Sequence, residues 1–354
     1  MKIGIITPSL EKQAPIMIAA AIANNLANQN HDVTIFYFSG KQEVSLNKNI
    51  NIVRIKFLEP IEFNNFDIIH SHLFRPDLYV FLHTFLRKRK CKFITTLHNY
   101  VYPELTNYYN PIISFFFGRI WNLSWLKFNC LVTLTEHSKK YYEKISYNKR
   151  IETIHNGIDI KEDGNIIEDD VLNIHKTLKS KTPLIIGTYC NLIKRKNISL
   201  LIDYVHNNNA GLIVFGDGPE KENLLKKVNE LDLSERVYFL GYRENAYRYN
   251  KLFDIYAIPS IDEGFGLALI EAALLKKKIV CSDIPVFKEI FNDKCVSFFN
   301  PNSVKSLSEA INTILNKSGC EDLAFDIAKN KFSEKIMTDN YISLYNRILK
   351  GKNA

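Results

Sequence analysis

Two glutamates and two glycines lie close together in the segment PSIDEGFGLALIEA, residues 259–272. The pattern predicts an apolar strand that ends in Pro-Ser, a short acidic loop, and then a helix. Gly264 and Gly266 have no Cβ, so the backbone there can approach a ligand, and the free N–H groups at a helix start attract phosphate. Glu271 follows in an apolar run, where its carboxylate needs a hydrogen-bonding partner. Sugar hydroxyls would serve, so the segment predicts a site for a phosphorylated, hydroxyl-rich ligand.

A purely structural explanation of the same segment is a capped helix with one glutamate at its edge. That explanation accounts for Glu263 alone or for Glu271 alone. It does not account for both glycines and the strand before them, so we favour a binding site.

The elements that must position this segment follow from the alternation of short apolar, β-branched runs with helix-length amphipathic segments. Such β-α-β order predicts parallel sheets with helices on both faces, and right-handed crossovers narrow the fold to doubly wound α/β. Strands are predicted at 3–7, 33–38, 52–55, 67–70, 93–98, 131–135, 151–154, 184–189, 212–215, 237–240, 255–259, 279–282 and 296–299. Helices are predicted at about 16–29, 75–89, 105–127, 136–145, 197–207, 219–231, 266–277, 303–317 and 334–349.

The length of 354 residues corresponds to two domains of about 150 residues each. An acidic stretch with almost no core residues, 161–170, is the best candidate for the linker. We therefore expect an N-terminal Rossmann-like domain at 1–160 and a C-terminal one at 171–333, facing each other across a cleft. The final helix, about 334–354, could pack back onto the N-terminal domain.

Composition narrows the class of protein. Apolar residues make up 46% and charged residues 24%, which excludes long disorder, collagen and a disulfide scaffold. The six cysteines form no C-x-x-C motif, so a zinc site is not expected and free thiols suggest a reducing cytoplasm. The net charge is +8, and residues 1–165, with 20 basic and 14 acidic side chains, contribute +6 of it. This excess favours anionic partners without demanding nucleic acid.

The segment Pro259–Glu271, with seven residues between its two glutamates, resembles the retaining GT-B glycosyltransferases of family 4, the glycosyltransferases group 1. Each of the other motifs is weak alone, but their joint order is specific, and they cover nearly the whole chain. These motifs are FDIIHSH at 66–72, TTLH at 95–98, IHNGID at 154–159, FGDGP at 215–219 and SDIPVFKE at 282–289.

The resemblance implies roles for particular residues. Glu271 is expected to hold the ribose diol of a nucleotide, and Glu263 the donor sugar and its phosphates. Lys196 falls where the family keeps a diphosphate-binding lysine, whose charge compensates the phosphate as the sugar–oxygen bond breaks. His98, in the other domain, is expected near the donor sugar. The resemblance thus assigns His98, Lys196 and Glu263 to the reacting centre, and the donor to Glu271, Gly264, Phe265, Gly266, Gly216, Asn191 and Arg195.

Two departures from the family pattern stand out. Asn191 occupies the position of an arginine that normally supplies a second cation for the diphosphate. Lys194 or Arg195 could substitute, although a lysine cannot reproduce the planar fork of an arginine. The first loop, Pro8–Pro15, lacks the glycines typical of the family. These departures support an alternative, a catalytically inactive, glycosyltransferase-like binding or scaffold subunit.

The leading hypothesis is a glycosyltransferase of the hexosyl or a related type that builds a surface polysaccharide or glycolipid. It would move a sugar, with retention of configuration, from a nucleotide-diphosphate sugar to a saccharide or polyprenyl-diphosphate-linked acceptor. The resemblance implies that the C-terminal domain binds the donor and the N-terminal domain the acceptor. No Asp-x-Asp metal motif occurs, so neither a metal nor a cofactor is expected.

His70 and His72 have two interpretations, a role in the site or ordinary packing and loop hydrogen bonds.

The N-terminal half also carries five cations in six positions, at 87–92, followed by the aromatic region 100–125. Cations beside exposed aromatic side chains are typical of a surface that docks on anionic lipid. A solvated helix end and buried aromatic side chains explain the same residues. The expected location is the cytoplasm, and if the docking interpretation holds, the protein also associates with the inner face of the membrane. The apolar span 111–126 is too short and too polar to cross a bilayer.

Overall fold

The computed structural model describes residues 1–85, 90–106, 110–160 and 166–351. It divides the chain into two compact units, Met1–Ile158 with Phe332–Ala354, and Asp159–Lys331. The chain passes from the first unit to the second near residue 159 and returns near residue 332. Residues 161–165 of the expected linker and 87–89 of the basic run lie outside the described residues.

The described strands are β1 (Lys2–Thr7), β2 (Asp32–Tyr37), β3 (Asn51–Arg54), β4 (Ile68–His72), β5 (Lys92–Leu97), β6 (Cys130–Thr133), β7 (Ile151–Thr153), β8 (Ile185–Tyr189), β9 (Gly211–Phe215), β10 (Val237–Phe239), β11 (Ile255–Ile258), β12 (Lys278–Ser282) and β13 (Ser297–Phe299). The described helices are α1 (Ala14–Asn28), α2 (Phe74–Thr84), α3 (Val101–Thr106), α4 (Pro111–Ser124), α5 (Glu136–Ile145), α6 (Asp169–Lys181), α7 (Ile198–Asn207), α8 (Lys221–Glu230), α9 (Leu267–Leu274), α10 (Pro285–Ile290), α11 (Val304–Leu315), α12 (Cys320–Lys331) and α13 (Glu334–Leu349). None of these helices is long and apolar enough to cross a membrane.

The first unit is built on a seven-stranded parallel sheet in the order β3-β2-β1-β4-β5-β6-β7. The strand order reverses between β1 and β4, so the loops that follow these strands diverge and leave room for a ligand. α1 and α13 pack against each other, and α2 packs on α4. Tyr345 of α13 hydrogen-bonds His70 of β4, so the C-terminal helix belongs to the core of this unit.

The second unit is built on a six-stranded parallel sheet in the order β10-β9-β8-β11-β12-β13. Its strands are almost continuous apolar runs because helices cover both faces of a parallel sheet. The order reverses between β8 and β11, and this reversal defines the place where ligands bind in such sheets. The doubly wound α/β fold expected from the sequence is confirmed.

All thirteen predicted strands are present, with ends shifted by one or two residues. The helix predicted at 105–127 is instead two helices, α3 and α4, followed by a 3-10 turn at Trp125–Lys127. Pro111 explains the interruption, because a residue before proline avoids the helical region, and Asn110 is extended. The Asn110 side chain then caps α4 by accepting a 2.9 Å hydrogen bond from the Ile113 amide. Helices α6, α10 and α12 were not predicted.

Candidate functional site

The candidate site of the second unit lies at the carboxyl ends of β8 and β11. The loop after β8 forms a 3-10 turn, Lys194–Lys196, immediately before α7. The loop after β11 carries Glu263 and leads into α9. The two loops are joined by a 2.8 Å hydrogen bond from the Ile261 amide to the Arg195 carbonyl. The strand reversal therefore brings together residues that lie almost 70 positions apart.

Glu263 is the centre of this site. Its side chain is 8% exposed, and its carboxylate accepts hydrogen bonds from Ser260 Oγ at 2.8 Å, Arg195 Nη1 at 3.2 Å, and Lys196 Nζ. Burial alone would raise the pKa of this carboxyl. The charges of Lys196 and Arg195, with the Lys196 and Ser260 hydrogen bonds, outweigh burial and hold the pKa below its usual value. Glu263 is therefore an anion that fixes two cations in place.

The second cation of the site is Arg195. Its Nη1 also donates a 3.0 Å hydrogen bond to the Asp262 carbonyl, so the guanidinium is held at two points. Lys194 and Asn191 are exposed, and in the described part of the chain neither is bonded to the Glu263 loop. Of the two substitutes considered for the missing arginine, Arg195 is the one that faces the acidic loop.

Glu271 lies on α9, partly buried, and pairs with Tyr189 at the end of β8. Burial raises the pKa of the Glu271 carboxyl to about 7, even though the hydrogen bond with the Tyr189 hydroxyl pulls it down. Asn250 Nδ2 donates to the same hydroxyl at 3.2 Å. Tyr189 was not predicted from the sequence. The available signal was a polar-tipped aromatic residue at the carboxyl end of a predicted central strand.

Two glycines of the expected donor site, one in the loop after β11 and one in the loop after β9, have backbone angles and neighbours that exclude a larger side chain. Gly266 precedes α9 with φ +93°, and a Cβ there would come within 2.7 Å of the Phe287 ring. Gly216 has φ +132°, and a Cβ would lie 1.8 Å from the Cys190 carbonyl oxygen. The Gly216 loop is thus packed against the backbone of the loop after β8. Gly264 is partly buried, and Phe265 is buried. Donor binding by these four residues stays a prediction.

His98 lies in the first unit, directly after β5, and is buried. Its Nε2 is 2.9 Å from Nδ1 of His72, the last residue of the neighbouring strand β4. Burial lowers the pKa of His98 to about 3, so this imidazole is neutral at physiological pH. The structure places His98 and His72 together, while Lys196, Glu263 and Glu271 belong to the other unit.

Within the described residues, no group of three or more histidine, cysteine, aspartate or glutamate side chains is arranged to hold a metal ion. The six cysteines are unpaired thiols, and five of them are buried.

The aromatic region of the first unit is divided between core and surface. Tyr100 and Trp125 are buried, whereas Phe115, Phe116 and Phe117 are exposed. Tyr108 and Tyr109 lie outside the described residues.

Two doubly wound units, with cations and carboxylates gathered at the strand reversal of the second, define a two-domain α/β protein of the GT-B class. Family models agree with this class: "Glycosyl transferases group 1" matches residues 171–335, and "Glycosyltransferase Family 4" matches residues 18–162. The chain is 32% identical over 359 residues to the O-antigen biosynthesis glycosyltransferase WclY of Escherichia coli, with 99% of each chain covered. The chain therefore belongs to the family 4, group 1 glycosyltransferases.

Other relatives are more distant. One is the Campylobacter jejuni "N-acetylgalactosamine-N,N'-diacetylbacillosaminyl-diphospho-undecaprenol 4-alpha-N-acetylgalactosaminyltransferase". It is 34% identical to this chain over 148 residues, which cover 41% of this chain and 38% of the relative. Anabaena HepE, solved with UDP and glucose, superposes with a TM-score of 0.78 at 18% identity, covering 98% of this chain and 99% of HepE. The lipopolysaccharide outer core galactosyltransferase WaaB superposes with a TM-score of 0.70 at 13% identity, covering 99% of this chain and all of WaaB. The structural likenesses show the shared fold.

Proposed function

We propose that this glycosyltransferase moves a sugar from a nucleotide-diphosphate sugar to a lipid-linked saccharide, in the assembly of a surface polysaccharide. The observation that carries the proposal is the pair of cations, Lys196 and Arg195, held by Glu263 at the strand reversal of the second unit. Two fixed cations next to the N-terminus of α9 form an environment suited to a diphosphate. The names of the E. coli and Campylobacter relatives support the acceptor class.

In this proposal the leaving diphosphate needs no metal ion. As the bond between the anomeric carbon and the phosphate oxygen breaks, negative charge grows on that oxygen. Lys196, the Arg195 guanidinium and the free amides at the start of α9 then stabilise this charge better than the charge of the intact donor. Glu263 keeps both cations in position, and its expected contact with the donor sugar stays part of the proposal.

Glu271 is proposed to accept hydrogen bonds from the ribose diol. Its carboxyl is partly buried and, among the described residues, has no hydrogen-bond partner other than Tyr189. A diol offers two O–H donors to one carboxylate, which offsets the cost of ionising a buried acid. Transfer with retention of configuration is part of the proposal and rests on the family resemblance.

The acceptor's lipid would bring the protein to a membrane, and α4 supports such a location. The polarity of this helix is opposite to that of an ordinary surface helix. Its buried positions include Ser114, Gly118 and Asn122, while its apolar side chains point outward. The exposed apolar residues are Ile112, Ile113, Phe115, Phe116, Phe117, Ile120 and Leu123.

The charges around α4 favour an anionic bilayer as the occupant. No acidic residue occurs between 111 and 127. Lys127 lies beside the exposed Phe85 ring of the neighbouring segment, and Arg119 lies over the Phe115 ring. A second copy of the chain would bring the same positive charges to this face and be repelled. A short helix with outward apolar residues and flanking cations suits the plane of a lipid interface.

Vesicle cosedimentation tests the membrane part of the proposal. We expect binding to phosphatidylcholine vesicles that contain phosphatidylglycerol, weaker binding to pure phosphatidylcholine, and loss of binding at high salt. Phe116→Ser should reduce recovery several-fold, while Leu58→Ser, at another exposed position of the same unit, should not. Equal recovery with both vesicle types, unchanged by salt, would reject this location, as would a dimer that buries α4.

A screen of nucleotide sugars for donor hydrolysis and for thermal stabilisation tests the catalytic part. The proposal expects one or a few donors to stabilise the protein and to be turned over. Glu271→Ala should abolish the stabilisation while the exposed Glu222→Ala should preserve it. Donor binding without any product from a lipid-linked acceptor extract would instead favour the inactive binding subunit.

A further inference from the structure

Three histidines form a row on one face of the first unit's sheet. His70 and His72 point the same way because they are two positions apart on β4, and His98 follows the adjacent strand β5. Their ring centroids are 4.3 Å apart for His70 and His72, and 5.2 Å apart for His72 and His98. All three side chains are buried.

All three rings are neutral, because burial disfavours the imidazolium ion. Burial lowers the pKa of His70 and of His98 to about 3, and that of His72 well below its usual value. Each neutral ring carries one N–H and one bare nitrogen. The hydrogen bond between His72 Nδ1 and His98 Nε2 therefore has one donor and one acceptor, and its direction fixes the tautomer of both rings.

The surroundings of His72 decide that direction. His72 Nε2 is buried and has no hydrogen-bond partner among the described residues. If the proton were on Nε2, a buried N–H would be left without an acceptor, which costs more than a bare nitrogen in the same place. The proton therefore belongs on Nδ1, which donates to His98 Nε2.

His70 cannot take over this task. Its Nδ1 is bonded to the Tyr345 hydroxyl at 2.8 Å and its Nε2 to Thr96 Oγ1 at 2.8 Å. Thr96 Oγ1 is in turn 2.8 Å from the Tyr341 hydroxyl, so α13 fixes His70 directly through Tyr345 and indirectly through Tyr341. Both nitrogens of His70 are satisfied, and among the described residues His72 alone is hydrogen-bonded to the His98 ring.

We infer that His72 is a positioning residue that holds His98 as the tautomer protonated on Nδ1. His98 Nε2 is occupied as an acceptor, and its Nδ1–H donates to none of the described residues. His98 thus offers a neutral N–H donor to a substrate oxygen, such as a sugar hydroxyl, and does not act as a general base. This inference rests on the proposed function only in naming that oxygen as part of a saccharide.

Nuclear magnetic resonance of the full chain with ¹⁵N-labelled histidine tests the tautomer directly. Long-range ¹H–¹⁵N spectra separate protonated from bare ring nitrogens, and His98→Gln identifies the His98 signals by their loss. We expect His98 to be protonated on Nδ1 and bare on Nε2, with His72 also protonated on Nδ1. A wild-type His98 protonated on Nε2 overturns the inference, and this measurement needs no variant of His72 to fold.

Substitution of His72 tests whether its hydrogen bond to His98 matters for turnover. His72→Asn places an amide N–H close to the position of Nδ1 and should keep the His98 tautomer and most of the activity. His72→Leu fills similar space without a donor, so the His98 tautomers should mix and kcat should fall about 10-fold or more, with donor KM changed little. Equal kcat for the asparagine and leucine variants overturns the inference. If no donor is turned over by the wild type, the proposed function fails while the spectra still decide the tautomer.

Discussion

Arg195 Nη1 lies 3.2 Å from Glu263 Oε2, so the arginine next to Lys196 in the chain shares the same carboxylate with it. In this family's usual pattern a more distant arginine supplies the second cation, and here that position is Asn191. The guanidinium of Arg195 is held by Glu263 and by the Asp262 carbonyl, which orients it before a ligand arrives.

We therefore predict that Arg195→Ala weakens donor use. Loss of one charged hydrogen-bond donor to a phosphate costs about 1.5–3 kcal/mol, which corresponds to about a 10- to 100-fold fall in kcat/KM for the donor. Arg195→Lys should recover part of this loss, since it restores the charge but not the planar fork. Initial rates at varied donor concentration measure both effects.

Lys194 provides the matched control, because it is adjacent in sequence but exposed. Lys194→Ala should leave kcat/KM within about 2-fold of the wild type, since an exposed charge is screened by solvent. If Lys194→Ala is as damaging as Arg195→Ala, the assignment of the second cation to Arg195 is wrong.

A second prediction concerns protons exchanged on donor binding. Burial raises the pKa of the Glu271 carboxyl to about 7, so the free protein is partly protonated there at pH 6.5. Diol hydrogen bonds favour the carboxylate and lower its pKa, so donor binding should release protons between pH 6 and 7. Affinity should consequently rise with pH in this window. Calorimetry in two buffers of different ionisation enthalpy measures the release, and Glu271→Gln should abolish it.

The raised pKa of Glu271 also predicts how the stability of the free protein depends on pH. The folded state binds more protons at Glu271 than the unfolded chain does between about pH 4.5 and 7, since the folded pKa is the higher one. The contribution of Glu271 to stability is therefore present at low pH and is lost as the pH rises through 7. The slope of unfolding free energy against pH should be less negative in Glu271→Gln, and an unchanged slope would contradict the raised pKa.

The sequence predicted the doubly wound fold well because alternating apolar runs and amphipathic segments are local signals. It also predicted the segments that carry Glu263, Glu271 and Lys196. The partners of these residues were not predictable, because the pairing of Arg195 with Glu263 depends on a strand reversal that brings distant loops together. Tyr189 and Asp77 were missed for the same reason. α12 was missed because its apolar residues show only weak helical periodicity and because it lies directly between two other helices, α11 and α13.

A fourth prediction concerns Asp77, a buried carboxylate that holds α4 against the sheet of the first unit. It accepts hydrogen bonds from Ser71 Oγ at 2.5 Å and Thr95 Oγ1 at 2.7 Å, and from the indole N–H groups of Trp121 at 2.7 Å and Trp125 at 3.0 Å. Asp77→Leu leaves the buried Trp125 indole and the partly buried Trp121 indole without an acceptor, and urea unfolding should show a loss of about 2–5 kcal/mol.

Asp77→Asn is the matched control for Asp77→Leu, because it removes the charge and keeps hydrogen-bonding groups. The amide oxygen can accept from both indoles, and the amide N–H groups can donate to the two hydroxyls, which rotate. Burial raises the pKa of the Asp77 carboxyl to about 6, since its four hydrogen bonds compensate burial only in part. The fall in stability as the pH rises from about 4 to 6 should be smaller in Asp77→Asn than in the wild type, because the contribution of Asp77 is removed while that of Glu271 stays. Equal damage from asparagine and leucine would show that the negative charge itself is required.

The last prediction separates packing from donor binding at Gly216. A Cβ at this position would lie 1.8 Å from the Cys190 carbonyl oxygen, and φ is +132°, so Gly216→Ala must displace the loop that leads to Lys196. Gly241→Ala is the control, because φ is +69° there but no atom lies within 4 Å of the added Cβ. The control should lose about 1 kcal/mol of unfolding free energy from backbone strain alone. Gly216→Ala should lose more stability and bind donor more weakly. If it binds donor weakly at wild-type stability, Gly216 contacts the donor and its packing against Cys190 is secondary.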